Sequence, residues 1–126
     1  MQEKKTKINS YFFSTKISNK LFKSKLNTWK IKKFDLSIYD RVLYLLSEIE
    51  VRSHFEEYRE FMNYLIIDDF HNSNKKEKST VYFSKNYEKI LLDFGFKLID
   101  NEQSGHDIAN DDFFKRNARR LIFKRE

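Results

Sequence analysis

Positive charge is concentrated in the first quarter of this 126-residue chain, and this segregation limits which part can fold around a core. Residues 1–34 contain ten lysines and one glutamate, a net charge of +9. The whole chain carries +6, so residues 35–126 carry −3. Dense like charges repel one another and stay in solvent. The pattern therefore predicts a lysine-rich arm, residues 1–34, and a single globular domain, residues 35–126.

The chain as a whole has enough large apolar side chains to form a core. It contains 13 Phe, 7 Tyr and one Trp, and each aromatic ring can bury about 150–250 Å². Disordered chains, which are also rich in charge, are poor in aromatics. A chain of this length suits one domain, so we expect a folded body that carries a basic segment.

Several classes of protein are disfavoured by what the sequence lacks. There is no cysteine, which excludes disulfides, thiolate metal sites and a cysteine nucleophile and fits a reducing cytoplasm. No apolar stretch reaches the 18 or so residues that a membrane span needs. Proline is absent, only two glycines occur, and Lys, Asn, Ile and Phe are frequent. That usage indicates an AT-rich coding sequence, typical of a phage or a mobile element.

The arm contains the pattern of a basic amphipathic helix. Phe22, Leu26 and Trp29 are spaced at i, i+4 and i+7, which places them on one helical face. Three interpretations remain open: a helix packed on the body, an arm that binds nucleic acid, or a helix that docks on an anionic membrane or an acidic protein groove. All ten cations of the arm are lysine. Arginine is the side chain that recognises bases through paired hydrogen bonds. Because the arm has none, we expect non-specific attraction to phosphates.

The next segment predicts two helices, which would make the N-terminal half of the chain helical. A stripe of apolar residues at helical spacing predicts a helix over Asp35–Glu50. Its members are Ile38, Val42, Leu45, Leu46 and Ile49. Ser53 and Glu56 form a capping-box pattern, which predicts that a second helix begins at Ser53 and runs to Ile66.

The last third predicts a β-α-β-β portion. A short strand at Thr80–Phe83 is followed by a helix that Ser84 caps and Gly95 ends. Strands at Phe96–Asp100 and Leu121–Lys124 then pair across a polar loop, 101–118. The fold class is thus α+β, in an order similar to a winged helix. Because carboxylates in the loop would repel phosphate, this topology does not decide the function.

Two places in the sequence carry side chains of the kind found in catalytic or metal sites. Asp68, Asp69 and His71 lie close together, but the polar segment that follows them reads as a loop, which holds metal ligands poorly. His54 has no second ligand at metal-binding spacing. We therefore predict no metal, no cofactor and no enzymatic activity.

A family resemblance supplies an alternative. A helix ending at Gly95, a strand, the loop residues Ser104, Gly105 and His106, and a basic final strand resemble the double-stranded-RNA-binding-type fold of HicA-family RNase toxins. The resemblance covers residues 84–125 and implies that His106 is a general base. The chain departs from the family in its Ser-Gly-His order, where the family has Gly-Ser-His, and in the late position of the segment.

The leading hypothesis is a small, non-enzymatic cytoplasmic binding protein that acts on nucleic acid or on a nucleic-acid-handling protein complex and does not bind membranes. A phage- or mobile-element-encoded regulator or inhibitor fits this description. The alternatives are a small ribonuclease toxin using His106 and a structural subunit of a ribonucleoprotein. The predicted binding residues are Lys16, Lys20, Lys23, Lys25, Trp29, Lys30, Lys32, Lys33, Arg116, Arg119 and Arg120.

Overall fold

The N-terminal part of the chain forms the predicted basic helix. A computed structural model describes residues 19–72, 84–104 and 117–126, and the chain divides into two compact units, Met1–Lys32 and Lys33–Glu126. In the first unit, helix α1 spans Asn19–Thr28, and Phe22 and Leu26 are buried. The helical spacing of these two residues is therefore confirmed.

Helix α1 ends in a hydrogen-bonded turn. The N–H of Ile31 donates to the carbonyl of Leu26 at 2.9 Å, and the N–H of Lys30 donates to the carbonyl of Asn27 at 3.1 Å. This is the Schellman pattern, which satisfies carbonyls that the helix itself leaves open. Lys30 has φ +56°, in the position where glycine is usual.

The second unit is built on a four-stranded mixed sheet. Its strands are β1 (Phe34–Asp40), β2 (Met62–Phe70), β3 (Phe96–Gln103) and β4 (Ala118–Arg125). Their order across the sheet is β1-β2-β4-β3. Strand β1 runs parallel to β2, whereas the β2–β4 and β3–β4 pairs are antiparallel. The α+β class is confirmed.

Among the described residues, two α-helices cover one face of this sheet. They are α2 (Glu48–Tyr58) and α3 (Tyr87–Leu92), and short 3₁₀ turns lie at Leu43–Leu45 and Arg59–Phe61. Side chains from both helices and from alternate positions of the strands form the core. Its buried members are Leu43, Val51, Phe55, Met62, Leu65, Ile67, Tyr87, Ile90, Leu91, Phe96, Leu121 and Phe123.

The opposite face of the sheet is partly open to solvent. Leu36 and Ile38 of β1 lie on it and are 47% and 63% exposed. Ile66 of β2 and Ile122 of β4, which are aligned with Ile38 across the sheet, are partly exposed. The second unit therefore has two layers in its described part, one of helices and one of strands.

The predicted helix over Asp35–Glu50 is wrong, because its first half is strand β1. Ser37 and Tyr39 point toward the core side with Leu65 and Ile67 of β2, to which they are aligned. This pairing links residues 28 positions apart in the chain. The spacing of a short apolar segment is compatible with a helix or with a strand. Here the segment forms a strand because it pairs with β2.

The second predicted helix is also misplaced. Helix α2 begins at Glu48 and ends at Tyr58, and residues 62–70, whose beginning was assigned to the helix, form β2. Strand β2 is flanked by β1 and β4; such a central strand reads as a continuous apolar run that resembles a buried helix. The N-terminal half is therefore not wholly helical, and the order of elements differs from a winged helix.

The capping box of α2 is formed by different residues from those predicted. The N–H of Glu50 donates to Ser47 Oγ at 3.2 Å, and the N–H of Ser47 donates to Glu50 Oε2 at 3.2 Å. Ser53, the predicted cap, is an exposed residue within the helix.

We expect Ser47→Ala to lower the free energy of unfolding by about 1 kcal/mol, because it leaves an N–H at the start of α2 without its acceptor. Ser53→Ala, the matched control on the same helix, should change stability by less than about 0.5 kcal/mol. Urea unfolding followed by circular dichroism measures both. Equal losses for the two variants would contradict the assigned helix start.

The C-terminal elements follow the prediction closely. Helix α3 is present, with Asn86 Oδ1 rather than Ser84 accepting from the N–H of Lys89 at 3.1 Å. Gly95 has φ +85°, the left-handed conformation that glycine adopts without penalty. Strands β3 and β4 pair as predicted. The predicted strand at Thr80–Phe83 lies outside the described residues, as does the predicted loop 101–118 apart from its two ends.

Candidate functional site

The lysines of the first unit form a strongly positive, solvent-exposed group. Those in the described residues are Lys20, Lys23, Lys25, Lys30 and Lys32, and all five are exposed. Residues 19–32 contain no carboxylate to offset them. Lys33, the first residue of the second unit, is exposed as well. Such a group attracts polyanions through long-range electrostatics that salt weakens.

Trp29 lies just beyond the end of α1 and is 38% exposed. It was predicted to share the apolar face of Phe22 and Leu26, which are far more buried. The ammonium of Lys25 lies 5.9 Å from the centroid of the Trp29 ring, within the range of a cation–π contact. An aromatic ring that is exposed beside cations can stack on a nucleic-acid base.

The C-terminal arginines are engaged with strand β3. Arg119 donates to Asn101 Oδ1 at 2.7 Å and to the Asn101 carbonyl at 3.1 Å. Arg120 donates from Nε to Glu102 Oε1 at 2.7 Å, and this ion pair offsets its charge. The two side chains leave β4 on opposite faces, because successive residues of a strand alternate. Lys16 and Arg116, the other predicted binding residues, lie outside the described residues.

Asp68 and Asp69, at the end of β2, accept hydrogen bonds from different parts of the chain. Asp68 Oδ1 accepts from Arg41 Nε at 3.2 Å and from Ser104 Oγ at 2.6 Å, and Arg41 also donates to Ser104 Oγ at 3.0 Å. Asp69 accepts from the N–H groups of Tyr44 and Phe70 at 3.1 and 2.8 Å. Because adjacent strand residues face opposite sides, the two carboxylates do not converge on one ligand.

The neighbouring polar residues tie loops to the sheet. His71 Nδ1 accepts from the N–H of Tyr87 at 3.2 Å, which anchors the start of α3. Lys85 Nζ donates to the carbonyl of Leu43 at 3.1 Å. Asp69, His71 and Lys85 are all buried.

Burial shifts the pKa of Asp69, of His71 and of Lys85 in the direction that favours the neutral form of each side chain. Desolvation raises the pKa of Asp69 and lowers the pKa of His71 and of Lys85. The hydroxyl of Tyr87 is buried and finds no hydrogen-bond partner among the described residues, and burial raises its pKa too. Clustered pKa shifts of this kind occur at active sites and in structural networks alike. Here the side chains of Asp69, His71 and Lys85 bind backbone groups, which indicates a structural network.

His54 belongs to an aromatic cluster between α2 and β1. Its Nε2 lies 2.7 Å from the hydroxyl of Tyr39, and its ring contacts Tyr39, Phe55 and Tyr58 at centroid distances of 5.5, 5.3 and 4.9 Å. Burial lowers the pKa of His54 to about 4. The histidine is therefore neutral and structural at physiological pH.

The described residues also bear on metal binding and on membrane insertion. Among the described residues, no three His, Cys, Asp or Glu side chains are grouped so as to hold a metal ion. None of the helices in the described ranges is long and apolar enough to cross a membrane. His106, the candidate base of the ribonuclease alternative, is not among the described residues.

Sequence reasoning missed the residues that organise the end of β2. Arg41 follows β1 with φ +54°, and its guanidinium carbon lies 4.6 Å from the centroid of the Phe70 ring. The sequence contains one signal of this arrangement: the carboxylates of Asp68 and Asp69 directly follow the apolar run Leu65–Ile67. Their partners are distant in sequence and carry no local pattern.

Comparison with known protein families found no family that matches the chain, and comparison with curated proteins found no matching relative.

Proposed function

We propose that this protein is a non-enzymatic, nucleic-acid-binding protein that uses the lysines and Trp29 of its N-terminal unit. The observation that carries the proposal is the exposure of Lys20, Lys23 and Lys25 on a helix without carboxylates. Each lysine that neutralises a phosphate releases a counterion, so binding is driven by charge and depends on salt. Cytoplasmic action and a role as a phage or mobile-element regulator belong to the same proposal.

The target is proposed to be recognised by charge and stacking rather than by base sequence. No arginine occurs in residues 1–34, and lysine acts as a point charge rather than as a bidentate fork. Trp29 would add stacking on unpaired bases, which is tolerant of sequence. Of the candidate arginines, Arg120 contributes less because Glu102 offsets its charge. The folded second unit then serves as the scaffold that carries this basic unit.

We expect the full chain to bind labelled single-stranded DNA and RNA in fluorescence anisotropy, with an affinity that falls steeply as salt rises. The triple variant Lys20→Gln, Lys23→Gln, Lys25→Gln should bind at least about 10-fold more weakly. It should also flatten the slope of log affinity against log salt by about 2 for single strands, since each phosphate contact contributes about 0.7. Trp29→Ala should weaken binding to single strands more than to duplexes.

The matched control is the triple variant Lys89→Gln, Lys97→Gln, Lys124→Gln. It removes three exposed lysines of the second unit and should leave the affinity within about 3-fold. Equal losses in the two triple variants, or no binding at low salt, would contradict the proposal and direct the search to a protein partner. If the protein cleaves the RNA and His106→Ala abolishes that cleavage, the result contradicts the non-enzymatic part of the proposal.

A further inference from the structure

Strand β1 is an edge of the sheet whose outer side faces no other strand in the described part of the chain. It pairs with β2 on one side. In a parallel pair, every second residue turns its N–H and C=O groups away from the neighbouring strand. An edge strand therefore presents a row of backbone groups that a further strand can pair with.

The two edge strands differ in how they are protected against such pairing. The other edge, β3, carries Lys97, Asp100 and Glu102 and has a register shift between Leu98 and Asp100. Charges and bulges of this kind discourage added strands. Strand β1 has no lysine, arginine or proline, its two carboxylates, Asp35 and Asp40, lie near its ends, and its register with β2 is continuous. Its outward side chains, Leu36 and Ile38, are 47% and 63% exposed.

We propose that two copies of this chain associate through their β1 strands, which pair antiparallel with Ser37 on the two-fold axis. The strand sequence is self-complementary in this register. Leu36 lies opposite the partner's Ile38, and Ile38 lies opposite the partner's Leu36. Directly opposed side chains in an antiparallel pair have Cβ atoms about 4.5–5.5 Å apart. The four exposed apolar side chains therefore cover one another.

The charged ends of the strand fit the same register. Asp35 lies opposite the partner's Tyr39, and Asp40 lies opposite the partner's Phe34, so no like charges are opposed. A shift of two residues one way places Leu36 opposite the partner's Asp40. A shift the other way places Ser37 opposite the partner's Asp35 and shortens the pairing. Only the central register pairs all seven residues of β1, and it places Leu36 opposite Ile38.

The product is a closed, isologous dimer with a continuous eight-stranded sheet. Its order is β3-β4-β2-β1 in one copy, followed by β1-β2-β4-β3 in the other. The open faces of the two sheets then join. Because one pair of seven-residue strands buries less than a standard interface, we expect a weak dimer that dissociates on dilution.

Sedimentation velocity of the full chain without nucleic acid tests the dimer. We expect the fraction of dimer to rise with concentration, and Ile38→Lys to weaken association at least about 10-fold, since it places two charges in the paired strands. Both Ile38 and Ile99 are exposed, 63% and 51%, so Ile99→Lys on the β3 edge is the matched control and should leave association unchanged. Circular dichroism and thermal melting verify that both variants are folded.

A cross-linking series tests the register. The chain has no cysteine, so Ser37→Cys introduces one thiol that meets its own copy on the axis at a distance that suits a disulfide. Oxidation should cross-link Ser37→Cys faster than Leu36→Cys, whereas Ser53→Cys, whose new thiol lies on α2, should not cross-link. A monomer at every concentration would overturn the proposal, as would loss of the dimer in Ile99→Lys. Fastest cross-linking at another position would overturn the register.

Discussion

Phe55→Ala is expected to lower the free energy of unfolding of the second unit by about 3–5 kcal/mol, the range for removing a fully buried aromatic ring. The Phe55 side chain has no solvent exposure. Its ring lies 5.6 Å from that of Tyr39 and 6.5 Å from those of Phe94 and Phe96. It therefore joins α2 to β1 and to the start of β3, and its loss leaves a cavity at the centre of the core.

Urea unfolding followed by far-ultraviolet circular dichroism measures this loss. Domains are stable by about 5–15 kcal/mol, so Phe55→Ala could remove most of the stability. Phe55→Leu, which fills part of the cavity, keeps the test valid if the alanine variant does not fold, and its loss should be smaller. Ile49→Ala on the same helix is the control, because Ile49 is 80% exposed. A loss below about 1 kcal/mol for Phe55→Ala would contradict the assigned core.

The protonation of His54 is expected to lower the free energy of unfolding of the second unit by about 2–3 kcal/mol as the pH falls from 7 to 4. Burial lowers the pKa of His54 to about 4 from an ordinary value of 6.5, a difference that corresponds to about 3 kcal/mol. Between these two values the unfolded chain binds the proton and the folded chain does not. Stability is therefore complete above about pH 6.5 and declines as the pH falls toward 4.

The variant His54→Gln isolates this contribution. Glutamine has no charge to gain, so the decline in stability between pH 7 and pH 4 should shrink by about 2–3 kcal/mol relative to the unmodified chain. Burial lowers the pKa of His71 as well, which leaves a residual decline of the same sign. The raised pKa of Asp69 acts in the opposite direction, since its folded form retains a proton that the unfolded chain loses.

Unfolding curves at several pH values provide the measurement, and nuclear magnetic resonance titration of the His54 ring provides a direct check. A ring that titrates near pH 6.5 in the folded protein would contradict the burial of His54. An unchanged acid decline in His54→Gln would assign the effect to other groups.

Local signals accounted for the elements that were predicted well. The helix that ends before Gly95 and the β3–β4 pair depend on turn residues and on short-range periodicity, which act between neighbours in the chain. The amphipathic character of α1 was likewise visible in the spacing of Phe22 and Leu26. The exposure of its lysines follows from the cost of burying a charge.

The elements that were predicted wrongly depend on distant partners. The stripe from Ile38 to Ile49 satisfies a helical period, yet its first residues pair with β2. The same holds for the buried polar groups. Asp69 binds Tyr44, 25 residues away, and Asp68 binds Ser104, 36 residues away. No local pattern indicates which carboxylate finds a buried donor.

The sequence by itself determined the segregation of positive charge into the first unit, the α+β class and the order of the C-terminal elements. These depend on composition and on interactions between near neighbours. The tertiary structure decided that residues 34–40 form an edge strand, that β2 is central, and that Asp68, Asp69 and His71 anchor loops. The physical reason is that a short apolar segment fits a helix or a strand equally well, and only burial against a distant partner separates the two.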